Sequence, residues 1–324
     1  MHSGHNHSGH DHHHAHHHHA HDISNERLSG ILKISTIVTL AYVALTLAAG
    51  YFGHSLALIG EAGHNFSDAL ALILSWLAVW LQARPPDRVK TFGYHRSAVL
   101  AAFVNASALV GLSLYLFYEA YERLRNPSPV NAPLMMGVAI VGLAMNGGIS
   151  AALFRASRGD INVRSAFVHM AGDAVGSLGI LIGAAVIYFT GIAAIDPILS
   201  ILIGGLIIWT AWDIVQESLN ILLEGLPRDL TLDQVVAEVR GVGGVLDVHD
   251  LHIWTLGPRM LAMSCHIKIA DIPPSESGEI LKRVNQVLGE HFEIRHTTIQ
   301  FEHEVCIEPC GMMERDSVTR NAVP

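Results

Sequence analysis

The chain contains 324 residues, of which 50% are hydrophobic and only 15% are charged, against about 25% charged residues in an average soluble domain. This composition excludes an ordinary soluble enzyme and a disordered chain, and three cysteines are too few for a disulfide-stabilised scaffold of this size. The formal net charge of -9 excludes nucleic acid as a partner held by bulk electrostatic attraction. The class that remains is a multi-pass membrane protein that lies in a lipid bilayer and also has soluble segments.

The first 26 residues are rich in histidine, and more than half of the 22 histidines precede Asp22. This segment has almost no apolar side chains to bury, so residues 1–26 are expected to form a disordered cytosolic tail. It lacks the basic and apolar regions of a signal peptide. Because neutral imidazole binds zinc, copper and nickel, we interpret the tail as a flexible metal-capturing segment. A solvated tail with incidental metal affinity and a purification tag are the alternatives.

Residues 27–225 are predicted to form an all-α bundle of six transmembrane helices. Each span approaches or exceeds the roughly 20 apolar residues that a helix needs to cross a bilayer. The spans are Ile34–Gly53, Ser55–Ala83, Ser97–Tyr118, Val130–Phe154, Ser165–Ile195 and Pro197–Trp212, the last continuing to about Leu223. Arginine and lysine concentrate between the second and third spans and between the fourth and fifth. The positive-inside rule therefore predicts that both termini lie in the cytosol.

Residues 226–306 show a different pattern, which predicts a small cytosolic α+β domain. Apolar residues at helical or strand-like spacing predict five elements in the order αββαβ. They are Asp229–Val242, Val245–Leu256, Met260–Ala270, Ser275–His291 and Thr297–Val305. This order in about 80 residues suits a two-layer domain. Residues 307–324 are expected to be a disordered tail.

Ionisable residues inside the spans are the most informative feature of the sequence, because they are costly in a bilayer and usually functional. His64 and Asp68 in the second span, and His169 and Asp173 in the fifth, form two copies of the pattern His-x-x-x-Asp. Residues four apart share one face of a helix. If the two faces meet, two imidazoles and two carboxylates form a tetrahedral site of the kind that zinc prefers.

Other interpretations of these residues remain open. Polar side chains in spans also bond across helices and hold them together without binding a metal. Glu61 is expected nearer the outer face and exposed to water, as a possible helper at the exit. An enzyme is disfavoured, because the His-Glu-x-x-His string of intramembrane metalloproteases is absent and four protein ligands leave no open position for water.

Several strings spread over nearly the whole ordered chain resemble the cation diffusion facilitator family, especially its bacterial zinc-exporter branch. The paired His-x-x-x-Asp signature matches the zinc-transporting subgroup, and together with the short loops the strings indicate a bacterial inner membrane. The strings are SLALIGEAGHNFSDALAL, ARPPDRVKTFGYHR, LAAFVNASALV, DPILSIL, LLEGLP, VHDLHIW and HTTIQFE.

The resemblance implies a homodimer whose cytosolic domains have a metallochaperone-like, ferredoxin-like αββαβ fold. It implies exchange of cytosolic zinc for protons, and a regulatory zinc site made of His249, His266 and Glu302. Strand alternation would place His252 on the face opposite His249, which makes His252 a poorer ligand candidate. It also implies a cytosolic charge lock, here Arg96 with Glu224, for which anchoring at the membrane interface is the alternative.

The cysteines support two further expectations. Cys306 and Cys310 have a loose metal-ligand spacing and could bind zinc together with the N-terminal histidines, or be two inert thiols. Cys265 alternates away from His266 and is expected in the core.

The function predicted from the sequence is proton-coupled efflux of zinc from the cytosol by alternating access at the intramembrane site. The alternatives are export mainly of cobalt, cadmium or nickel, and a membrane-anchored metal sensor or store that transports nothing. Zn²⁺ is the expected substrate, and also the expected ligand of the cytosolic domain.

Overall fold

A computed structural model describes residues 37–154, 161–257 and 260–304. Its first six helices form the bundle that the hydrophobic spans predict. They are α1 (Ile37–Phe52), α2 (Leu56–Gln82), α3 (Ser97–Arg125), α4 (Ala132–Leu153), α5 (Ile161–Thr190) and α6 (Ile195–Leu222). Helices α2 to α6 are long and apolar enough to cross a membrane, whereas the described part of α1 is shorter.

Local sequence signals set the ends of these helices. The Ser55 side chain accepts a hydrogen bond from the backbone N–H of Leu58 and caps α2. Asn131 caps α4 in the same way, and a proline follows in the first turn, where it costs no helix hydrogen bond. Helix α3 continues to Arg125, well beyond the predicted end at Tyr118. The prediction ended with the apolar residues, whereas the polar residues that follow are also helical.

Two groups of helices share apolar cores within the bundle. Helix α4 packs along α5, α3 packs along α6, and α2 lies against α3. Helices α1, α2, α4 and α5 meet in one core that includes Leu58 and Ile180. A smaller core contains Leu56 of α2 and Leu116 of α3. Helix α2 therefore belongs to both groups and joins them.

The C-terminal unit consists of α7 (Leu232–Arg240), β1 (Val245–Gly257), β2 (Met260–Ile269), α8 (Pro274–Phe292) and β3 (Ile294–Glu302). Its sheet has the order β1-β2-β3, with β1 antiparallel and β3 parallel to β2. Both helices pack on one face of this sheet, where Val235, Val284 and Leu288 meet Ile267 of β2. The other face is left for polar side chains.

The predicted fold class is confirmed: an all-α membrane bundle is followed by a small α+β unit with the order αββαβ. One strand differs from its expected bounds. β3 begins at Ile294, three residues before the predicted start, since Ile294 is buried and pairs with Leu261.

Candidate metal centre

The four intramembrane residues His64, Asp68, His169 and Asp173 lie together between α2 and α5. Across the helices, His64 Nε2 lies 3.3 Å from Asp173 Oδ1, and His169 Nε2 lies 3.4 Å from Asp68 Oδ2. Within each helix, the His and Asp side chains also meet, at 3.5 Å on α2 and 3.7 Å on α5. Each imidazole therefore contacts both carboxylates.

The four His–Asp separations are close to the edge length of a zinc coordination tetrahedron, which has six edges. Zinc binds imidazole nitrogen and carboxylate oxygen at about 2.0–2.2 Å, so neighbouring ligand atoms in a tetrahedron lie about 3.3–3.6 Å apart. The four contacts range from 3.3 to 3.7 Å, which is longer than the usual hydrogen bond of about 2.9 Å. The His64–Asp173 contact is also a long hydrogen bond. Ligand atoms of His64, Asp68 and Asp173 all lie within 4.8 Å of one another, whereas His169 lies outside this group. The four side chains are therefore close to one another but do not form a closed tetrahedron.

Asp68 supports the same interpretation. Its Oδ2 atom is excluded from solvent and accepts no hydrogen bond of normal geometry from the described residues. The atom lies instead near the Nε2 atoms of His64 and His169. Such an oxygen is costly unless a cation lies beside it, and either a metal ion or a protonated imidazole fills that role.

Protein side chains cover this cluster unevenly. The side chain of Asp173 is only 6% exposed, whereas that of His169, one turn nearer the start of α5, is 45% exposed. In the opposite direction along α5, Ser177 and Ile180 are buried, as is Leu58 of α2. Among the described residues, the cluster is therefore less covered toward the end of the bundle where α2 ends and α5 begins than toward the other end.

The expectation that Glu61 is exposed to water is wrong. Its carboxylate is buried, and the Ser177 hydroxyl donates a hydrogen bond to it at 3.2 Å. Ser177 lies one turn beyond Asp173, and Gly176 lies next to the Glu61 carboxylate, 3.7 Å from its Oε2 atom to the position of an added Cβ. Glu61 thus forms part of the closed layer over the cluster, since hydropathy alone does not tell an interior face from an outer one.

A second cluster lies on the polar face of the C-terminal sheet. His249 of β1 pairs directly with His266 of β2, and Glu302 of β3 lies on the same face. Glu302 contacts His266 Nδ1 at 2.7 Å and His249 Nε2 at 3.2 Å. One ligand atom from each of the three residues lies within 4.8 Å of the others. Two imidazoles and a carboxylate in this arrangement can bind a borderline divalent ion.

The expectation that His252 and His249 lie on opposite faces of β1 is wrong. The strand register shifts between them, so His249 is opposite His266 and His252 is opposite Ser264, two residues earlier in β2. Asp250, with a φ of 49°, forms the irregularity that adds one residue to the strand. His252 still lies outside the cluster, because its ring contacts Asp250 at 3.0 Å.

The remaining expectations have different outcomes. The Arg96 guanidinium contacts Glu224 at 3.1 Å, as predicted. Cys265 is buried in the core of the C-terminal unit, also as predicted, and burial raises the pKa of its thiol to about 12. Cys306 and Cys310, like the N-terminal histidines, lie outside the described residues.

One buried ionic group was missed from the sequence. Asp196, in the first turn of α6, is fully buried and accepts hydrogen bonds from the Ser55 hydroxyl and the Leu56 N–H, at 2.6 and 2.7 Å. Arg123 of α3 lies 3.8 Å from the same carboxylate and also donates to the carbonyl of His54. The sequence signal that could have revealed this group is an aspartate directly before the apolar residues of the last span.

Comparisons with known proteins agree with this architecture. The sequence profile of the cation efflux transmembrane domain matches residues 32–223, and that of the cation efflux protein cytoplasmic domain matches residues 227–304. A solved metal-bound C-terminal domain of the CzcD transporter from Cupriavidus metallidurans is 34% identical, with a TM-score of 0.21, and covers 22% of this chain and 99% of its own.

Three curated relatives align over most of both chains. The zinc transporter ZitB of Shigella flexneri is 39% identical over 86% of this chain and 88% of its own. A cadmium, cobalt and zinc/H(+)-K(+) antiporter of Bacillus subtilis is 36% identical over 85% and 89%. The metal cation efflux system protein CzcD of Cupriavidus metallidurans is 37% identical over 85% and 87%. The chain belongs to the cation efflux family, the cation diffusion facilitators.

Proposed function

We propose that this chain exports zinc from the cytosol by alternating access at His64, Asp68, His169 and Asp173, in exchange for protons. The observation that carries the proposal is the pair of cross-helix contacts, His64 with Asp173 and His169 with Asp68, at the spacing of zinc ligands. No residue is assigned a catalytic role, since binding and release of the ion are the whole reaction.

The exchange follows from the chemistry of the ligands. Imidazole and carboxylate groups bind zinc only when they are deprotonated, so an arriving ion displaces protons and arriving protons displace the ion. The open side of the cluster, next to His169, is the side from which zinc enters. Movement of the helices then closes this side and opens the layer formed by Glu61 and Ser177. A proton gradient directed inward would drive the cycle toward export.

We also propose a cellular location, an oligomeric state and a regulatory site for the chain. The basic loops favour a bacterial inner membrane with both termini and the C-terminal unit in the cytosol. The chain is proposed to act as a homodimer, with contacts between the C-terminal units of two copies. In each unit, His249, His266 and Glu302 are proposed to bind a regulatory zinc ion, while Cys306 and Cys310 remain candidates for a further site.

A wider metal range is the second candidate. The relative from Bacillus subtilis is named for cadmium and cobalt as well as zinc, and two imidazoles with two carboxylates do not exclude these ions. Competition by cadmium, cobalt and nickel against zinc uptake would distinguish a zinc exporter from a general exporter of such divalent ions.

The test is zinc flux into proteoliposomes under an imposed pH gradient. The wild type is expected to show gradient-dependent flux, and Asp173→Asn is expected to abolish it. Asp213→Asn is the matched control, because Asp213 is an exposed aspartate on α6 outside the cluster. A membrane-anchored sensor or store predicts the reverse pattern: Asp173→Asn would be harmless, and deletion of residues 1–26 would abolish function.

A further inference from the structure

A cavity of about 430 Å³ lies between the bundle and the C-terminal unit. Its walls come from the loop between α2 and α3, from the start of α3, from the end of α6 and from β1. None of these residues belongs to either metal cluster, so the cavity needs a separate explanation.

The lining combines apolar walls with two cations and one carboxylate. The apolar part includes Phe92, Leu100 and Trp254, and the charged part is Lys90, Arg96 and Glu224, which leaves one net positive charge. A cavity that is mostly apolar and positive on one side suits a ligand with a negatively charged head and an apolar body.

The positive charges of the cavity are incompletely neutralised. Both terminal nitrogens of Arg96 donate to a single oxygen of Glu224. Lys90 is exposed and forms none of the ion pairs found in the described part of the chain. A phosphate group would provide an acceptor for the Lys90 ammonium and a second acceptor for the terminal nitrogens of Arg96.

The position of the cavity identifies the source of such a ligand. Leu100, in the first turn of α3, lines the cavity and is 52% exposed on the surface of a membrane-spanning helix. Leu222, the last residue of α6, lines it too. The cavity wall is therefore continuous with the surface that faces lipid, at the basic end of the bundle, where anionic lipids are attracted.

We propose that this cavity binds the headgroup of an anionic phospholipid, with its phosphate held by Lys90 and Arg96. The glycerol and the first acyl carbons then lie against Leu100 and Leu222. A lipid bound here contacts α3, α6 and β1 at once and ties the C-terminal unit to the bundle. This proposal does not depend on zinc transport.

The test is a binding titration of the full chain in neutral detergent, followed by native mass spectrometry. The probes are dioctanoyl phosphatidylglycerol, dioctanoyl phosphatidylcholine and inorganic phosphate. Phosphatidylglycerol is expected to bind most tightly. Lys90→Gln is expected to weaken its binding about fivefold, the effect of one cation near a membrane surface, and Lys90→Arg is expected to retain it.

Arg88→Gln is the matched control, because Arg88 lies on the same loop but does not line the cavity. It is expected to bind phosphatidylglycerol as the wild type does. Equal losses in Lys90→Gln and Arg88→Gln would overturn the proposal, since they would mean attraction to the basic loop as a whole. Equal binding of the two lipids would also overturn it, and so would displacement of phosphatidylglycerol by inorganic phosphate, which would indicate a site for a soluble anion.

Discussion

The carboxylate of Asp196 accepts a hydrogen bond from the Ser55 hydroxyl at 2.6 Å, although 141 positions separate the two residues in the chain. Asp196 also accepts from the N–H groups of Leu56 and Ala57, at 2.7 and 3.3 Å. A carboxylate of α6 thus completes the N-terminal cap of α2, where a negative charge is favourable. The helix that carries His64 and Asp68 is thereby fixed to α6 at its first turn.

Asp196→Asn is expected to destabilise the folded chain by about 1–3 kcal/mol, because the amide presents a donor to a buried set of donors. Denaturant unfolding in mixed micelles measures this change. Asp213→Asn, an exposed aspartate on the same helix, is expected to change stability by less than about 0.5 kcal/mol. Equal changes in the free energy of unfolding for the two substitutions would show that the buried cap does not stabilise the fold.

Asp68→Asn is expected to weaken zinc binding at the intramembrane cluster by more than about tenfold. Loss of a side chain that only orients a metal ligand already costs at least about tenfold in metal affinity. The physical reason is the loss of the one oxygen that lies near both imidazoles. Titration with a competing chelator measures the affinity, in a chain without residues 1–26 so that the histidine tail does not interfere. Unchanged affinity would favour polar side chains that only hold the helices together.

Zinc is expected to slow hydrogen exchange in β1 and β2 of the wild type, because an ion bound by His249, His266 and Glu302 links the three strands of the sheet. His249→Ala is expected to remove this protection. His291→Ala is the control, since His291 is an exposed histidine of α8 that contacts Glu238 instead. Protection that survives in His249→Ala would exclude the three-residue site.

Cys265 is expected to resist alkylation by iodoacetamide at pH 8 in the folded chain. Burial raises the pKa of its thiol to about 12, above the ordinary value, so the reactive thiolate is scarce at pH 8 and grows only as the pH approaches 12. Mass spectrometry of the digested chain measures the labelling, with denatured chain as the control. Labelling at the rate of an ordinary exposed thiol would contradict the buried position.

The bundle could be predicted from the sequence because each spanning helix faces lipid over much of its length, so that apolar composition alone marks it. The end of α3 could not be predicted in this way. Glu119 and Arg123 form an ion pair one turn apart and continue the helix beyond its apolar part. Arg123 then reaches the turn after α1, a contact that only the packed structure reveals.

The pairs of residues within each helix of the candidate site could be predicted from the sequence, but the contact between the two helices could not. Helical spacing puts His64 beside Asp68 and His169 beside Asp173, but the meeting of α2 and α5 depends on how the bundle packs. In the C-terminal unit, counting alternate strand residues failed at Asp250, because one extra residue in β1 brings His252 to the same face as His249. Such an irregularity leaves no clear signal in a single sequence.

The buried layer beside the intramembrane cluster sets a free-energy cost for the opening step of the proposed cycle. Leu58 and Ile180 pack together there in a shared apolar core, and exposing a side chain of this kind to water costs about 1.5–3 kcal/mol. A state that opens this layer to water must supply that free energy. In the proposed cycle, the ion-free protein therefore favours the state that is closed on this side, and part of the binding free energy of the ion offsets the cost of separating α2 from α5.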